Sequence, residues 1–351
     1  MSDQDCTQDI SAAVLAAAAA RSPLAICGSG SKHFLTGAID GTALDVTGHR
    51  GIVSYEPTEL VLTACAGTPL SEIEAALAER HQMLGFEPPH FGPGATLGGT
   101  IACNLSGPRR PYCGAARDFV LGTRIINGQG EILQFGGQVM KNVAGYDVSR
   151  LMAGSYGTLG VLLEISLKIL PKPAQEITLM FETTANEALR KMNAWAGLPL
   201  PLSAACHLDD TLYVRLSGTD KGVHAARIKL GGEHDTGGAA FWQALREQQL
   251  LFFAGEAQHW RLSVPSATPL LDIPGKWLLD WGGAQRWLRT GAPEIDIHHA
   301  VEAAGGHAIL FRNTGRPKPV RTSSVVASRL ARDLRRAFDP HAIFNPTLRL
   351  A

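Results

Sequence analysis

Three glycine-rich loops carry the residues best suited to chemistry. Gly28-Ser29-Gly30-Ser31-Lys32 places two flexible positions, two hydroxyls and an amine on one short run. Main-chain N–H groups in such a turn attract anions and the lysine adds a full positive charge, a donor set that can cradle a pyrophosphate. The stretch FGPGATLGGTIACNLSG, Phe91 to Gly107, holds five glycines and no charged side chain. Its Gly98-Gly99 pair, followed by Thr100 and Ala102, lets a planar ring or sugar lie on bare backbone, with Asn104 and Ser106 supplying hydrogen bonds. The third loop, KNVAGYDVSRLMAGSYGTLGVL, ends in Gly154, Gly157 and Gly160 just ahead of a strand.

Each loop also reads as ordinary structure: a strand-ending turn, a bend between core segments, and a helix stop in which Asp147 caps and Gly154 closes. Three loops of one character favour a single long ligand. The dinucleotide fingerprint G-x-G-x-x-G fails, because its third glycine position holds His33 and no helix pattern opens there. The phosphate loop G-x-x-x-x-G-K-[ST] fails as well, since no glycine precedes Lys32.

The elements that position these loops follow from periodicity. A helix over Ser11–Arg21, stopped by Pro23, leads to a buried strand at Leu24–Cys27 that runs into the first loop. A second strand covers Leu60–Ala64. Between 68 and 85 the spacing predicts a helix, with Thr68 as cap, Pro69 at the first position, Leu70, Ile73 and Leu77 on one face and Gly85 as stop. FVLGTRII-NGQG-EILQF reads as a hairpin in which Asn127-Gly128 supplies positive φ. From Leu163 to Ile169 apolar and polar residues alternate, and Pro171 and Pro173 then mark a boundary. The second half repeats small strand and helix units: EITLMFE, a helix near Asn186–Ala196, SAACHL and LYVRLSG, a helix near Lys221–Leu230, three strands (HWRLSVP, GKWLLDWGG, QRWLRT), a helix over Glu294–Ala304, and HAILFR. This order suits antiparallel sheets backed by helices, an α+β layout. A basic linker, RNTGRPKPVR, precedes a last helix, Val325–Phe338, and the tail FDPHAIFNP.

A chain of 351 residues supports two domains, or one with an appended cap. Lys+Arg 32 against Asp+Glu 32 gives no dominant sign of charge, which argues against nucleic acid or anionic lipid as partners. Cys6, Cys27, Cys65, Cys103, Cys113 and Cys206 are dispersed without a C-x-x-C pair, so neither a disulfide framework nor a cysteine-held zinc or iron–sulfur site is expected. A reduced cytosolic setting follows. The alanine-rich start is preceded by acidic residues where a secretory signal carries positive charge, and no run of about 18 apolar residues suggests a transmembrane segment.

CGSGSKHF, FGPGATLGGTIACNLSG, YCGAARDFVLG, KNVAGYDVSRLMAGSYGTLGVLLEISLKILPKP and the terminal FNP resemble the FAD-binding domain of the vanillyl-alcohol-oxidase and p-cresol-methylhydroxylase family. Over nearly the whole chain, SYEPTELVLTACAGTPLSEIEAAL, EPPHFGP, FWQALREQQLLFF and WGGAQRWLR resemble the family of E subunits of bacterial three-component glycolate oxidases, also called glycolate dehydrogenases. The resemblance implies an FAD-binding domain of two α/β subdomains at 1–173, a reduced α+β cap at 174–315, and a helix and tail at 316–351 that return to the first domain. It implies that Gly28, Ser29, Gly30, Ser31 and Lys32 wrap the FAD pyrophosphate. Pro93, Gly94, Thr96, Gly98, Gly99 and Asn104 would line the flavin and ribityl chain, and Gly114, Arg117 and Asp118 would shape the next loop. Gly157, Thr158, Gly160 and Val161 would complete the adenine and flavin wall, with Asn345 returning from the C-terminus. Arg117 and Asp118 also read as an ion pair, and Asn345 reads equally as the start of a turn before Pro346.

Flavin oxidation of a 2-hydroxy acid needs a base for the hydroxyl proton and a cation for the carboxylate. Catalytic members of the resembled family carry H-x-G-D-G-N and E-H-G-x-G segments, and this chain has neither. His298 and His299 are adjacent, so on a helix they point about 100° apart and do not share an ion. His307 reads as structural, and neither a metal site nor a catalytic residue is assigned. The resemblance therefore implies an FAD-binding subunit that works with a larger catalytic flavin subunit and an iron–sulfur subunit on glycolate or D-lactate. It would sit in the cytoplasm or peripherally at the inner membrane through its partners. The alternatives are a scaffold without catalysis and a self-sufficient flavin dehydrogenase. His33 and Cys103 miss the usual flavin attachment position, so FAD is expected to be non-covalent. Trp242, Trp260, Trp277, Trp281 and Trp287 are expected in the core.

Overall fold

Ile10, Val14 and Ala17 recur at helical spacing and are buried along one face of the first helix, α1 (Thr7–Ala20), in the computed structural model. The structure describes residues 5–137, 148–255, 258–312 and 325–348; Asp147, the expected cap in the third loop, lies outside them. The helix starts four residues before the expected Ser11, because the Asp5 carboxylate accepts from the Thr7 N–H at 2.8 Å and organises the first turn.

The described residues fall into two units, the first within Met1–Ser106, Ala115–Pro171 and Pro319–Ala351, the second within Gly107–Gly114 and Lys172–Lys318. In the first, β1 (Leu24–Cys27) pairs in parallel with β2 (Thr42–Asp45), and Leu24 also bridges Phe344 in parallel. Ile10, Val14, Leu24, Leu44, Ile343 and Phe344 share one core cluster with Val161 and Leu163. Strands β3 (Ile52–Glu56), β4 (Val61–Cys65), β5 (Val120–Ile126), β6 (Ile132–Gly136) and β7 (Val161–Lys168) form an antiparallel sheet in the order β3-β4-β7-β5-β6.

Strand β7, between β4 and β5, keeps the expected alternation: Leu163, Ile165 and Leu167 are fully buried, while on the other face Glu164 and Lys168 are half-buried and Ser166 is drawn in, with Glu164 taken up by Arg124 at 2.5 Å and Ser166 hydrogen-bonded to Thr63 at 2.8 Å. Several other local expectations are corrected here. In the β5–β6 turn the positive φ falls on Gly130, at 79°, while Asn127 Oδ1 accepts from the N–H groups of Gln129 and Glu131. Helix α2 (Leu70–Ala78) is shorter than expected. Thr68 does not cap it, since its hydroxyl exchanges hydrogen bonds with the Gly51 backbone, and Gly85 lies beyond its end against Leu170 and Phe119. The glycine stretch contains a helix, α3 (Leu97–Cys103).

In the second unit, β8 (Gln175–Glu182), β9 (Leu202–Leu208), β10 (Thr211–Gly218), β11 (Glu233–Asp235), β12 (His259–Ser263), β13 (Lys276–Asp280), β14 (Gln285–Arg289) and β15 (His307–Arg312) form an eight-stranded sheet in the order β11-β8-β10-β9-β13-β14-β12-β15. Its pairs are antiparallel. Helices α4 (Ala185–Ala196) and α5 (Asp220–Leu230) pack on Leu179, Leu212, Val214 and Leu216, and α7 (Glu294–Ala303) packs on Trp260, Leu262 and Leu288. Helix α6 (Gly238–Arg246) goes unread in the sequence because two glycines open it; Trp242 on it donates to Thr178 Oγ1 at 2.8 Å. Trp242, Trp260, Trp281 and Trp287 are buried and Trp277 partly so.

The last helix, α8 (Val325–Phe338), belongs to the first unit and ends at Asp339, whose carboxylate accepts from the N–H groups of Ile343 and Phe344 at 3.0 and 2.8 Å. Among the described residues no helix is long and apolar enough to cross a membrane.

Candidate functional site

β1 delivers the chain into Gly28–Lys32, which line an open cleft. Gly30 takes φ 77°, a conformation open to glycine at little cost. A single helical turn, His33–Thr36, follows where no helix was expected. Lys32 is 7% exposed, and its Nζ donates to Ser31 Oγ and the His90 carbonyl at 3.3 Å each.

The second wall is the start of α3. Thr96 Oγ1 caps it by accepting from the Gly99 N–H at 3.2 Å. The Leu97 and Gly98 N–H groups donate to the carbonyls of Thr68 and Ala66 at 2.9 and 2.7 Å, and Leu97 and Ile101 are fully buried, which holds two consecutive glycines in a helix despite their low propensity. The two glycines differ. A Cβ at Gly98 would lie 2.8 Å from Ala66 Cβ, so protein packing demands that glycine, whereas at Gly99 it would meet only Thr96 Oγ1, at 3.2 Å.

The third wall comes from Tyr156, Gly157 and Gly160, with φ of 50°, 70° and 148°. Asn345 closes it from the C-terminus, its Oδ1 accepting from the Ile26 N–H and its Nδ2 donating to the Tyr156 carbonyl.

Of the residues singled out in the sequence, Gly28, Ser29, Gly30, Ser31, Lys32, Thr96, Gly98, Gly99, Gly157, Gly160 and Asn345 line this one cleft. Pro93 and Gly94 lie on the approach to α3, where a Cβ at Gly94 would come 3.2 Å from that of Ser29. Asn104 ends α3 with φ 51° and its Oδ1 accepts from the Arg117 N–H at 3.1 Å, so it ties α3 to the following loop. Asp118 accepts from the Ala115 N–H at 2.8 Å, and Gly114, φ 105°, belongs to the second unit. Thr158 and Val161 are fully buried behind the wall.

Ala102, read in the sequence beside the Gly98-Gly99 pair, lines the cleft, and sequence reading missed Ile26, Ala66, Cys103 and Tyr156, which line it as well. Gly99, Ala102 and Cys103 share a face at helical spacing, a signal available only once α3 is recognised as a helix. Burial pushes the Cys103 thiol up to about 12, so it stands as a neutral thiol.

The donor set fits a dinucleotide cofactor. A turn of main-chain N–H groups, two hydroxyls and a buried lysine meet, and among the described lining residues there is no carboxylate to repel a diphosphate. In the second unit His298 lies edge-on to Trp260 with Glu294 3.6 Å from Nε2, and His307 opens β15, where burial and the Arg261 charge pull it below the ordinary imidazole range. Among the described residues no group of three His, Cys, Asp or Glu could hold a metal ion.

Residues 5–136 match a family model described as an FAD binding domain. The chain is 53% identical over 327 residues to glycolate oxidase subunit GlcE of Escherichia coli (strain K12), spanning 93% of this chain and 92% of that protein. It is 43% identical over 86 residues to glycolate oxidase subunit GlcD of Bacillus subtilis (strain 168), covering 24% of this chain and 18% of that one. In fold it is similar to alkyldihydroxyacetonephosphate synthase, with a TM-score of 0.67, 15% identity, and coverage of 97% of this chain and 75% of the other.

Proposed function

We propose, from the premise that the chain belongs to the family of glycolate oxidase E subunits and carries an FAD-binding domain, that it is the FAD-binding subunit of a multi-subunit enzyme oxidising glycolate, with D-lactate as a second substrate, to the 2-oxo acid. In this reading residues 1–173 form the cofactor domain, 174–315 the cap and 316–351 the returning tail. The observation that carries it is the convergence of Gly28–Lys32, the start of α3, Tyr156–Gly160 and Asn345 on one cleft.

Bound there, FAD supplies a two-electron acceptor for the carbon bearing the hydroxyl. The chain's own residues bind and orient it. Lys32 and the Gly28–Ser31 backbone hold the diphosphate. Gly99 gives a flat ring access to main chain, and Asn345 fixes the far wall by joining β1 to Tyr156. The neutral Cys103 thiol supports non-covalent retention. The chain's six cysteines are dispersed, so electrons leave to iron–sulfur centres on a partner, and a second flavin subunit of the kind named GlcD completes the complex. We place the assembly on the cytoplasmic side, soluble or held peripherally at the inner membrane by its partners.

Anaerobic glycolate added to the flavin-loaded chain, alone and with the partner subunits, tests this reading. Bleaching of the visible flavin bands in the assembled complex is expected. Flavin that stays oxidised in the complete complex would contradict it.

A further inference from the structure

His49 sits in the turn between β2 and β3 and is 1% exposed. Its Nδ1 accepts from the Cys6 N–H at 3.1 Å, just ahead of α1, and the Cys6 carbonyl accepts from the Ile10 N–H at 3.0 Å to begin that helix. A ring nitrogen that accepts carries no proton, so this bond fixes the neutral imidazole with its hydrogen on Nε2. Nε2 itself is buried without a hydrogen bond of good geometry. The turn is anchored on its other side as well: the His49 N–H donates to the Val46 carbonyl at 3.1 Å, and the Val46 N–H to the Cys27 carbonyl, at the end of β1, at 2.9 Å.

The charged groups around the ring are Asp5 at the start of α1, Glu164 on β7 and Arg124 on β5. The Cys6 thiol is neutral, its ionisation pushed up by burial. Burial is the largest effect on the imidazole and holds it below its ordinary range; Arg124 adds to this, while Asp5, Glu164 and the Leu163 backbone oppose it.

Protonation exchanges one set of bonds for another. An imidazolium has no acceptor, so the Cys6 N–H loses its partner, and the new Nδ1–H has Asp5 Oδ1, 3.6 Å away, to turn to. That oxygen already accepts from the Thr7 N–H at 2.8 Å. Either the buried imidazolium goes unpaired or the first turn of α1 shares its organising carboxylate, and both outcomes loosen the start of the helix.

We infer that His49 is an acid-sensitive clip on α1: neutral, it holds the first turn of the helix against the β2–β3 turn, and protonated, it lets that turn go. The inference is independent of any bound cofactor. A released imidazole takes up a proton more readily than a clipped one. The clip is therefore fully closed above about pH 7 and opens as pH falls through about 6.5, the ordinary imidazole value.

Amide hydrogen exchange of the full-length chain, read by mass spectrometry on peptides from α1 and corrected for the intrinsic effect of pH, tests this. Between about pH 8 and about pH 5.5 the protection of the first turn should fall roughly three- to tenfold, since opening takes up one proton. Peptides from β7 should keep theirs. His49→Gln offers Cys6 a side-chain carbonyl that does not titrate, so its corrected protection should be the same at both ends of the range. Asp5→Asn, at a side chain 71% exposed, can still accept from Thr7 but removes a charge that favours the imidazolium, so release should shift to lower pH. If His49→Gln does not fold, Asp5→Asn decides. Wild-type protection that stays constant over the range, a His49→Gln variant that keeps the wild-type pH dependence, or an Asp5→Asn variant that releases at the wild-type pH overturns the clip.

Discussion

Asn345 Oδ1 accepts a hydrogen bond from the Ile26 N–H at 2.9 Å, joining residues 319 positions apart in sequence. The same amide donates through Nδ2 to the Tyr156 carbonyl at 2.7 Å, so one side chain that is 2% exposed holds β1, the third loop and the C-terminal tail together.

Asn345→Ala removes both bonds and leaves two main-chain groups without this partner. Urea unfolding should show a loss of about 2–4 kcal/mol, accompanied by weaker FAD retention. Asn345→Asp should lose at least as much, because a carboxylate can accept from Ile26 but opposes the Tyr156 carbonyl. A variant with wild-type stability and flavin content would remove the clamp from the account.

Lys32 is the lysine of the cleft and is 7% exposed. Lys32→Met keeps the length and loses the charge, so FAD affinity, followed by quenching of flavin fluorescence on binding to apoprotein, should fall roughly ten- to a hundredfold. Added salt should weaken the wild type more than the variant. The melting temperature of the apoprotein should move little.

Gly98 and Gly99 separate packing from binding. Gly98→Val drives Cβ to within 2.8 Å of Ala66 Cβ and 3.0 Å of the Ala66 carbonyl, and overpacking of this kind costs about 1–3 kcal/mol or more. Gly99→Val meets only Thr96 Oγ1, at 3.2 Å, and should abolish flavin retention with the fold largely kept. Thermal melts paired with flavin content read the two effects apart; retained flavin in Gly99→Val would return this stretch to a plain helix start.

Burial pushes the Asp280 carboxyl up to about 7 from its ordinary 3.8, against the opposing pull of the Trp281 N–H, Gln285 and the charges of Arg261 and Arg215. The folded chain thus keeps a proton that the unfolded chain releases. Its stabilising contribution is full below about pH 4, declines between about pH 4 and 7, and levels off above that. Asp280→Asn removes the titration, so the stability of the variant relative to wild type should rise across that window, by on the order of 4 kcal/mol in total. A difference that stays flat from pH 4 to 7 would contradict this.

Much of the site was legible where chemistry and local structure coincide. Gly28–Lys32 follows a short strand, so its small residues read either as a ligand turn or as an ordinary strand-ending turn, and it is the three glycine loops together that favour a ligand. The Leu97–Cys103 helix did not read, because Gly98-Gly99 argues against helix and what sustains it is tertiary: the Thr96 cap, burial of Leu97 and Ile101, and the donation of Gly98 N–H to Ala66. With that helix unread, the cleft-facing Cys103 went unassigned. The turn at Asn127 showed the right residues with the wrong roles, since Asn127 accepts hydrogen bonds there and Gly130 takes the positive φ.

The measurement that bears most directly on the account is the visible spectrum of the purified chain, taken before and after denaturation and acid precipitation. The expected result is a flavin spectrum at about one FAD per chain, with all of the flavin released as FAD into the supernatant. A chain that purifies colourless and takes up no FAD when it is supplied would contradict the cofactor site; flavin that stays with the precipitated polypeptide would contradict non-covalent binding.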